Sequence, residues 1–177
     1  TLLDQVITLA LCIDVKNTNP AHGLTNEAMS PYVARVMEKS KSRNWMVHTT
    51  ALLVKTWIEY ERWKTKERSV LQLQVLVDQH MNRLSVGQMA TTDVNAPADE
   101  RMRFIYSLVM PPLWTMKAQL ADRSMGLHVK RSALKIYEEL EMWEDVVQCL
   151  LDLQEDKRAR ELIMSRINNH EPTPMLY

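Results

Sequence analysis

Glycine is nearly absent: Gly23, Gly87 and Gly126 are the only three among 177 residues. All-β and doubly wound α/β folds of this size ordinarily need more glycine for their tight turns. An all-helical chain is therefore expected, and Leu, Met, Glu, Lys, Arg, Gln and Ala, all good helix formers, are plentiful. Net charge is lacking as well, since 22 basic side chains balance 22 acidic ones. That balance removes long-range attraction to nucleic acid or an anionic membrane, although a local basic face remains open. No apolar run approaches the ~20 residues of a membrane-spanning helix. The two cysteines, Cys12 and Cys149, lie far apart and lack closely spaced metal-binding companions. They read as buried, reduced thiols of a cytoplasmic or nuclear protein. The chain opens Thr-Leu-Leu-Asp, with neither an initiator Met nor a basic leader, so no signal peptide is expected. It starts on an apolar stripe and stops just after Pro-Thr-Pro, so both ends are expected to continue in a longer protein.

What is present is helical periodicity. Leu3, Val6, Ala10 and Ile13 recur at spacings of three and four, predicting a first amphipathic helix that ends at Asn17 to Gly23. Thr25 can cap the second, with an inner stripe of Met29, Val33 and Val36. Pro31 then either kinks the first turn or follows Ser30 as the true cap. Asn44 caps a third helix running to about Lys64. Its apolar positions, from Met46 through Val54 and Trp57 to Tyr60, cover most of the circumference, so it should be the most buried. Val70, Leu73, Val77, Met81 and Leu84 form a single stripe on a fourth. Ser85 to Ala98 reads as an exposed, mobile loop and as the one internal boundary. A short helix is expected at 99–108, before Met110-Pro111-Pro112.

Beyond that break four short helices fit, at roughly 112–125, 128–139, 141–153 and 156–168. Glu171 to Pro174 ends the last, and Met175 to Tyr177 opens another. Leu120-Ala121 matches the large-small step on the first helix of a tetratricopeptide hairpin. Ala133 followed by Tyr137 matches the second helix. Trp143, Val146 and Leu150 open another hairpin, answered by Ala159 and Ile163. Small residues let helix axes approach, while bulky ones fill the groove to the next hairpin. The alanines are only 26 apart, against 34 in the standard unit.

Several segments resemble the tetratricopeptide repeat protein 27 family of eukaryotes. Ser132 to Val147, reading Ser-Ala-Leu-Lys-Ile-Tyr-Glu-Glu-Leu-Glu-Met-Trp-Glu-Asp-Val-Val, is similar to a signature second helix and the opening of the next. Leu9 to Leu24, Glu67 to Gln79, Tyr106 to Trp114 and Glu171 to Tyr177 also fit, in order along the chain. The resemblance implies an intracellular helical-repeat protein, with this chain spanning the join between an upstream helical region and the first repeats. It implies no catalytic residues. After Leu153 the chain reads Gln-Glu-Asp-Lys-Arg where the family usually has a glycine, so that corner must avoid positive φ or accept strain.

Residues that could carry chemistry are scattered. His22, His48, His80, His128 and His170 form neither an HExxH pattern nor a Cys/His metal spacing, and no glycine-rich phosphate loop exists. His48, on the crowded third helix, reads as a satisfied core or groove residue. Glu59 to Arg68 mixes acids and bases and reads as a solvated face. No catalytic residue, cofactor or metal ligand is expected. RNA contact is the rival, through Lys39 to Arg43, or through Lys64, Lys66 and Arg68 beside Trp63. Ala118, Asp122 and Glu144 hold positions from which other tetratricopeptide modules clamp an acidic C-terminus, and a carboxylate would be repelled there.

The expected fold is all-α, an α-α superhelix of about nine helices stacked as hairpins in a tetratricopeptide-like solenoid. Residues 1–96 form the upstream helical region and 97–177 the hairpins. The expected function is a protein–protein scaffold, with a role in chaperone-linked assembly; the alternative is an RNA-processing repeat protein that contacts RNA through local basic patches. Trp114, Tyr137 and Trp143 are candidate groove residues. Leu120, Ala121, Ala133, Ala159 and Ile163 are candidate packing residues. The partners are other proteins and not a membrane. The chain is expected to be a monomer, or to self-associate weakly through an apolar repeat end.

Overall fold

A computed structural model of the chain describes residues 1–18, 24–38, 44–81, 103–104, 106–108 and 110–168. Among these residues the structure is all-α, with eight α-helices and no strand. In chain order they are α1 (Leu2–Thr18), α2 (Thr25–Glu38), α3 (Trp45–Tyr60), α4 (Lys66–Met81), α5 (Leu113–Met125), α6 (Lys130–Glu139), α7 (Trp143–Asp152) and α8 (Asp156–Asn168). Contacts divide the chain into two compact units, Thr1–Pro111 and Pro112–Tyr177. The expected boundary at 96/97, the loop at 85–98, Leu84 and the segment 171–177 lie outside the described residues. Of the short helix expected at 99–108, the described residues 103–104 and 106–107 form turns and Leu108 a bend.

In the first unit α3 is the hub. Asn44 Oδ1 accepts from the Met46 and Val47 backbone N–H groups at 3.0 and 3.2 Å, which fixes where the helix begins. Ten of its 16 residues are buried, among them Leu53 and Val54, because α2 and α4 cover it and α1 also touches it. It stops at Tyr60, four residues short of the expected end, where Arg62 turns extended before a 3-10 turn at Trp63–Thr65. Met29, Val33 and Val36 of α2 join its core, as do Leu9 and Cys12 of α1. Thr56 is fully buried and satisfies its hydroxyl by donating to the Leu53 carbonyl at 2.7 Å.

Two expectations are corrected here. The α1 stripe is only half right: Val6 and Ile13 pack against the core, but Leu3 is 67% exposed and Ala10 is exposed, and Gln5, Leu9 and Cys12 form the innermost line. Apolar residues surround this helix, so spacing alone does not select which phase packs. Of the two readings left open for Pro31, the one with Ser30 as the cap of α2 is ruled out. The helix is continuous from Thr25 with Pro31 inside it, and the Leu24 carbonyl accepts its first bond, from Ala28 N–H at 2.9 Å.

The second unit is built on a 13-residue step. Both α6 and α7 have ten residues, and the corners after them, 140–142 and 153–155, have three. His128, Glu141 and Gln154, spaced 13 apart, all take positive φ, at 63°, 57° and 62°. Each closes the same cap. Val129, Met142 and Glu155 donate back to the carbonyls of Ser124, Tyr137 and Leu150 at 2.9–3.0 Å. His128, Glu141 and Gln154 themselves donate to Met125, Glu138 and Leu151. This paired pattern satisfies carbonyls that a helix end leaves open. Gln154 thus accepts the left-handed conformation that a glycine would take freely, at a cost of about 1–2 kcal/mol.

The step carries the packing with it. Leu120, Ala133, Val146 and Ala159, again 13 apart, are 5%, 0%, 0% and 1% exposed. Four residues further on lie Ser124, Tyr137, Leu150 and Ile163, of which the first three are buried and Ile163 is half-buried. Ala121 is buried against the same core. Ties between helices repeat at the same interval: Lys117 pairs with Glu139 at 3.0 Å, and Lys130 reaches the Asp152 carbonyl at 2.9 Å. Each tie joins the start of one helix to the end of the next, which makes neighbours antiparallel. The separation of 26 between the alanines is therefore two such steps.

Candidate protein-interaction surface

A surface helix needs one face for the core and leaves another for partners. In α5 the core face is Met116, Leu120, Ala121 and Ser124. Trp114, Ala118 and Asp122, four apart, line up on a different face; Trp114 is 67% exposed, Asp122 exposed and Ala118 half-buried. The other two candidate groove aromatics are occupied. Tyr137 is buried, and its hydroxyl donates to Asp122 Oδ1 at 2.7 Å. Burial pushes its phenol pKa upward, and the hydrogen bond and negative charge of Asp122 add to the rise. Trp143 is half-buried, with the Arg166 guanidinium 3.8 Å above its ring, a cation–π contact joining α7 to α8. Of the three, Trp114 is the most exposed.

Around Asp122 the charge is negative. Asp145, on α7, has its carboxyl pKa raised first by burial and then by the charges of Asp122 and Glu144. Asp145 thus lies within the field of an acid on α5 and of its own neighbour on α7. Sequence pointed to Asp122 and Glu144 but not to Asp145, whose signal was its place two residues after Trp143 and next to Glu144.

The basic residues proposed for RNA are differently placed. Trp63 is 83% exposed, and Lys64 beside it is exposed. The Lys66 ammonium sits 4.7 Å from the Tyr60 ring centre, and Arg68 pairs with Glu59 at 2.7 Å. Lys39 to Arg43 lie outside the described residues. His48 is exposed rather than enclosed, because α3 turns that position away from its neighbours, although partial desolvation still lowers its pKa. His22, His80 and His170 lie outside the described side chains. Glu59, read as part of a solvated face, is instead buried.

Both thiols are buried, with raised pKa values. Burial takes Cys12 to about 11, partly offset by Lys16, and also raises Cys149. Each donates to a backbone carbonyl, Cys12 to Met29 at 3.7 Å and Cys149 to Lys130 at 3.3 Å. Among the described residues, no group of three or more His, Cys, Asp or Glu residues could hold a metal ion. No described helix is long and apolar enough to cross a membrane.

Known proteins match this chain almost end to end. A tetratricopeptide repeat protein 27 homolog of Dictyostelium discoideum is 39% identical over 175 residues, covering 99% of this chain and 19% of its own. A tetratricopeptide-repeat-containing protein of Schizosaccharomyces pombe is 37% identical, over 94% of this chain and 23% of its own. Sequence places the chain in the tetratricopeptide repeat protein 27 family. A Saccharomyces cerevisiae protein named as essential for maintenance of the cell wall is 28% identical over 98% of the chain. The chain spans about a fifth of the length of these relatives. No protein-family model and no solved structure matches it. The tetratricopeptide repeat protein 27 family thus supplies a helical-repeat reading, and the 13-residue step shows how this segment builds it.

Proposed function

We propose that this segment is a non-catalytic scaffold that binds other proteins through the α5 and α7 surface. The observation that carries this reading is the 13-residue step. It commits one position after another to helix–helix packing, yet leaves Trp114, Ala118 and Asp122 on a face outside the core. Trp114 supplies apolar area with few torsions to freeze. The negative charge that Asp122 and Glu144 place around Asp145 favours a cationic partner segment and disfavours an acidic C-terminus. Chaperone-linked assembly belongs to the proposal only through a surface that does not clamp a carboxylate. Two free, buried thiols support a cytoplasmic or nuclear setting.

Crosslinking of the full-length protein in cell extract, mapped onto these helices, tests the reading. The double variant Trp114→Ala, Asp122→Asn, which removes the charge but keeps the oxygen that accepts from Tyr137, should lose the crosslinks to α5 and α7 while its circular dichroism stays unchanged. Unaltered partner recovery by that variant would discard this face. Micromolar binding of an acidic C-terminal peptide would overturn the charge argument.

A further inference from the structure

A second feature lies wholly within the first unit. Between α2 and α3 opens a pocket of about 160 Å³. Its apolar walls are Val33, Ala34, Met37 and Ile58. Glu59 also lines it, with a side chain that is only 10% exposed. One carboxylate oxygen, Oε1, accepts from Arg68 at 2.7 Å and lies 3.8 Å from the Lys55 ammonium. The other, Oε2, is shielded from solvent and has no hydrogen-bond partner among the described residues. A buried acceptor left unpaired costs about 1–3 kcal/mol, and more when charged. Native folds pair such atoms by a wide margin.

The surrounding charge narrows what can pair it. Lys55 and Arg62 line the same pocket, and Arg68 already neutralises Glu59. A lysine or arginine entering here would meet three cations against one carboxylate, and would be repelled. A ligand with a neutral donor meets no such penalty. If its body is aromatic, it also gains from the Met37 sulfur and from the cations flanking its ring.

We propose that this pocket is an anchor site for an aromatic side chain carrying one hydrogen-bond donor, a tryptophan or tyrosine from a partner protein. Its ring lies against Met37 and Ile58, and the Glu59 carboxylate turns to bring its shielded Oε2 to the pocket wall, where it accepts from the ligand's N–H or O–H. Exposed Arg62 shifts to admit it. The inference rests on the scaffold reading only in taking the aromatic from a partner protein.

Small probes test it on the whole 177-residue chain. N-acetyl-tryptophanamide, titrated while the methyl signals of Met37 and Ile58 are followed by NMR, should shift both. The 1-methylindole analogue, which lacks the donor, should bind about tenfold more weakly, the loss expected for a hydrogen bond to a charged acceptor. Glu59→Gln, which can place an N–H where the acceptor was, should weaken the parent probe similarly. Ala34→Leu, at an exposed position of the wall, should block binding without lowering the melting temperature. Equal binding of both analogues, tighter binding of a guanidinium probe, or shifts that persist in Ala34→Leu would overturn the proposal. A negative result here, together with intact crosslinks at α5 and α7, would remove the anchor and leave the scaffold reading standing.

Discussion

The two units use opposite routes to a helical core. In the first, helices of 14–17 residues wrap around one central member, and α3 buries large side chains such as Leu53 and Val54 on several sides. In the second, helices of 10–13 residues follow one another through equivalent corners, and small residues at Ala133 and Ala159 bring the axes together. One core is sensitive to what is removed and the other to what is added. Hydrogen exchange read separately over α3 and α7 can tell the two apart.

The largest effect is expected in the hub. Leu53→Ala should cost about 3 kcal/mol by opening a cavity that neighbours on several sides cannot close. Faster exchange should be confined to the first unit, and equal acceleration in α7 would mean the units do not melt separately. Ala159→Leu should cost about 2 kcal/mol through crowding, with the loss appearing in α7 and α8. A neutral result would show that the second unit has slack where the step predicts contact.

Glu141→Gly should go the other way and stabilise by about 0.5–1 kcal/mol, because glycine takes φ of 57° without penalty. Gln154→Gly should add a comparable gain, and a denaturant titration that moves the midpoint downward would contradict the shared corner geometry. The smallest effect concerns charge. A raised carboxyl pKa favours the fold below the unfolded-state value of about 3.9, and that contribution is lost as pH rises through the folded value. Asp145→Asn removes the loss, so it should gain about 0.5 kcal/mol at pH 7 and nothing at pH 3. A gain independent of pH would place its cause elsewhere.

Much of the fold was legible because capping and spacing act locally. Asn44 announced the start of α3, and the four helices beyond Pro112 lie within two residues of their expected bounds. The α1 stripe was right at Val6 and Ile13 but not at Leu3 and Ala10, because exact phase depends on which neighbours arrive, and local spacing does not contain them. The 13-residue step was in the letters all along: Leu127, Leu140 and Leu153 each precede the positive-φ residue of a corner. Comparison with a 34-residue standard concealed it. For the candidate surface, the sequence located Trp114 and Asp122 but could not say that Tyr137 and Trp143 were already engaged. Glu59 was hidden for a similar reason. A glutamate in a run of charges looks solvated until α2 and α4 are seen folding over its helix.

A final consequence belongs to the corner at Glu141. Each corner reverses the chain, so copying one 13-residue step would turn everything downstream upside down. Copying two restores both direction and register. Such a segment can lengthen by gene duplication in multiples of 26 residues, whereas insertions of other sizes must be absorbed by a bulge or rejected.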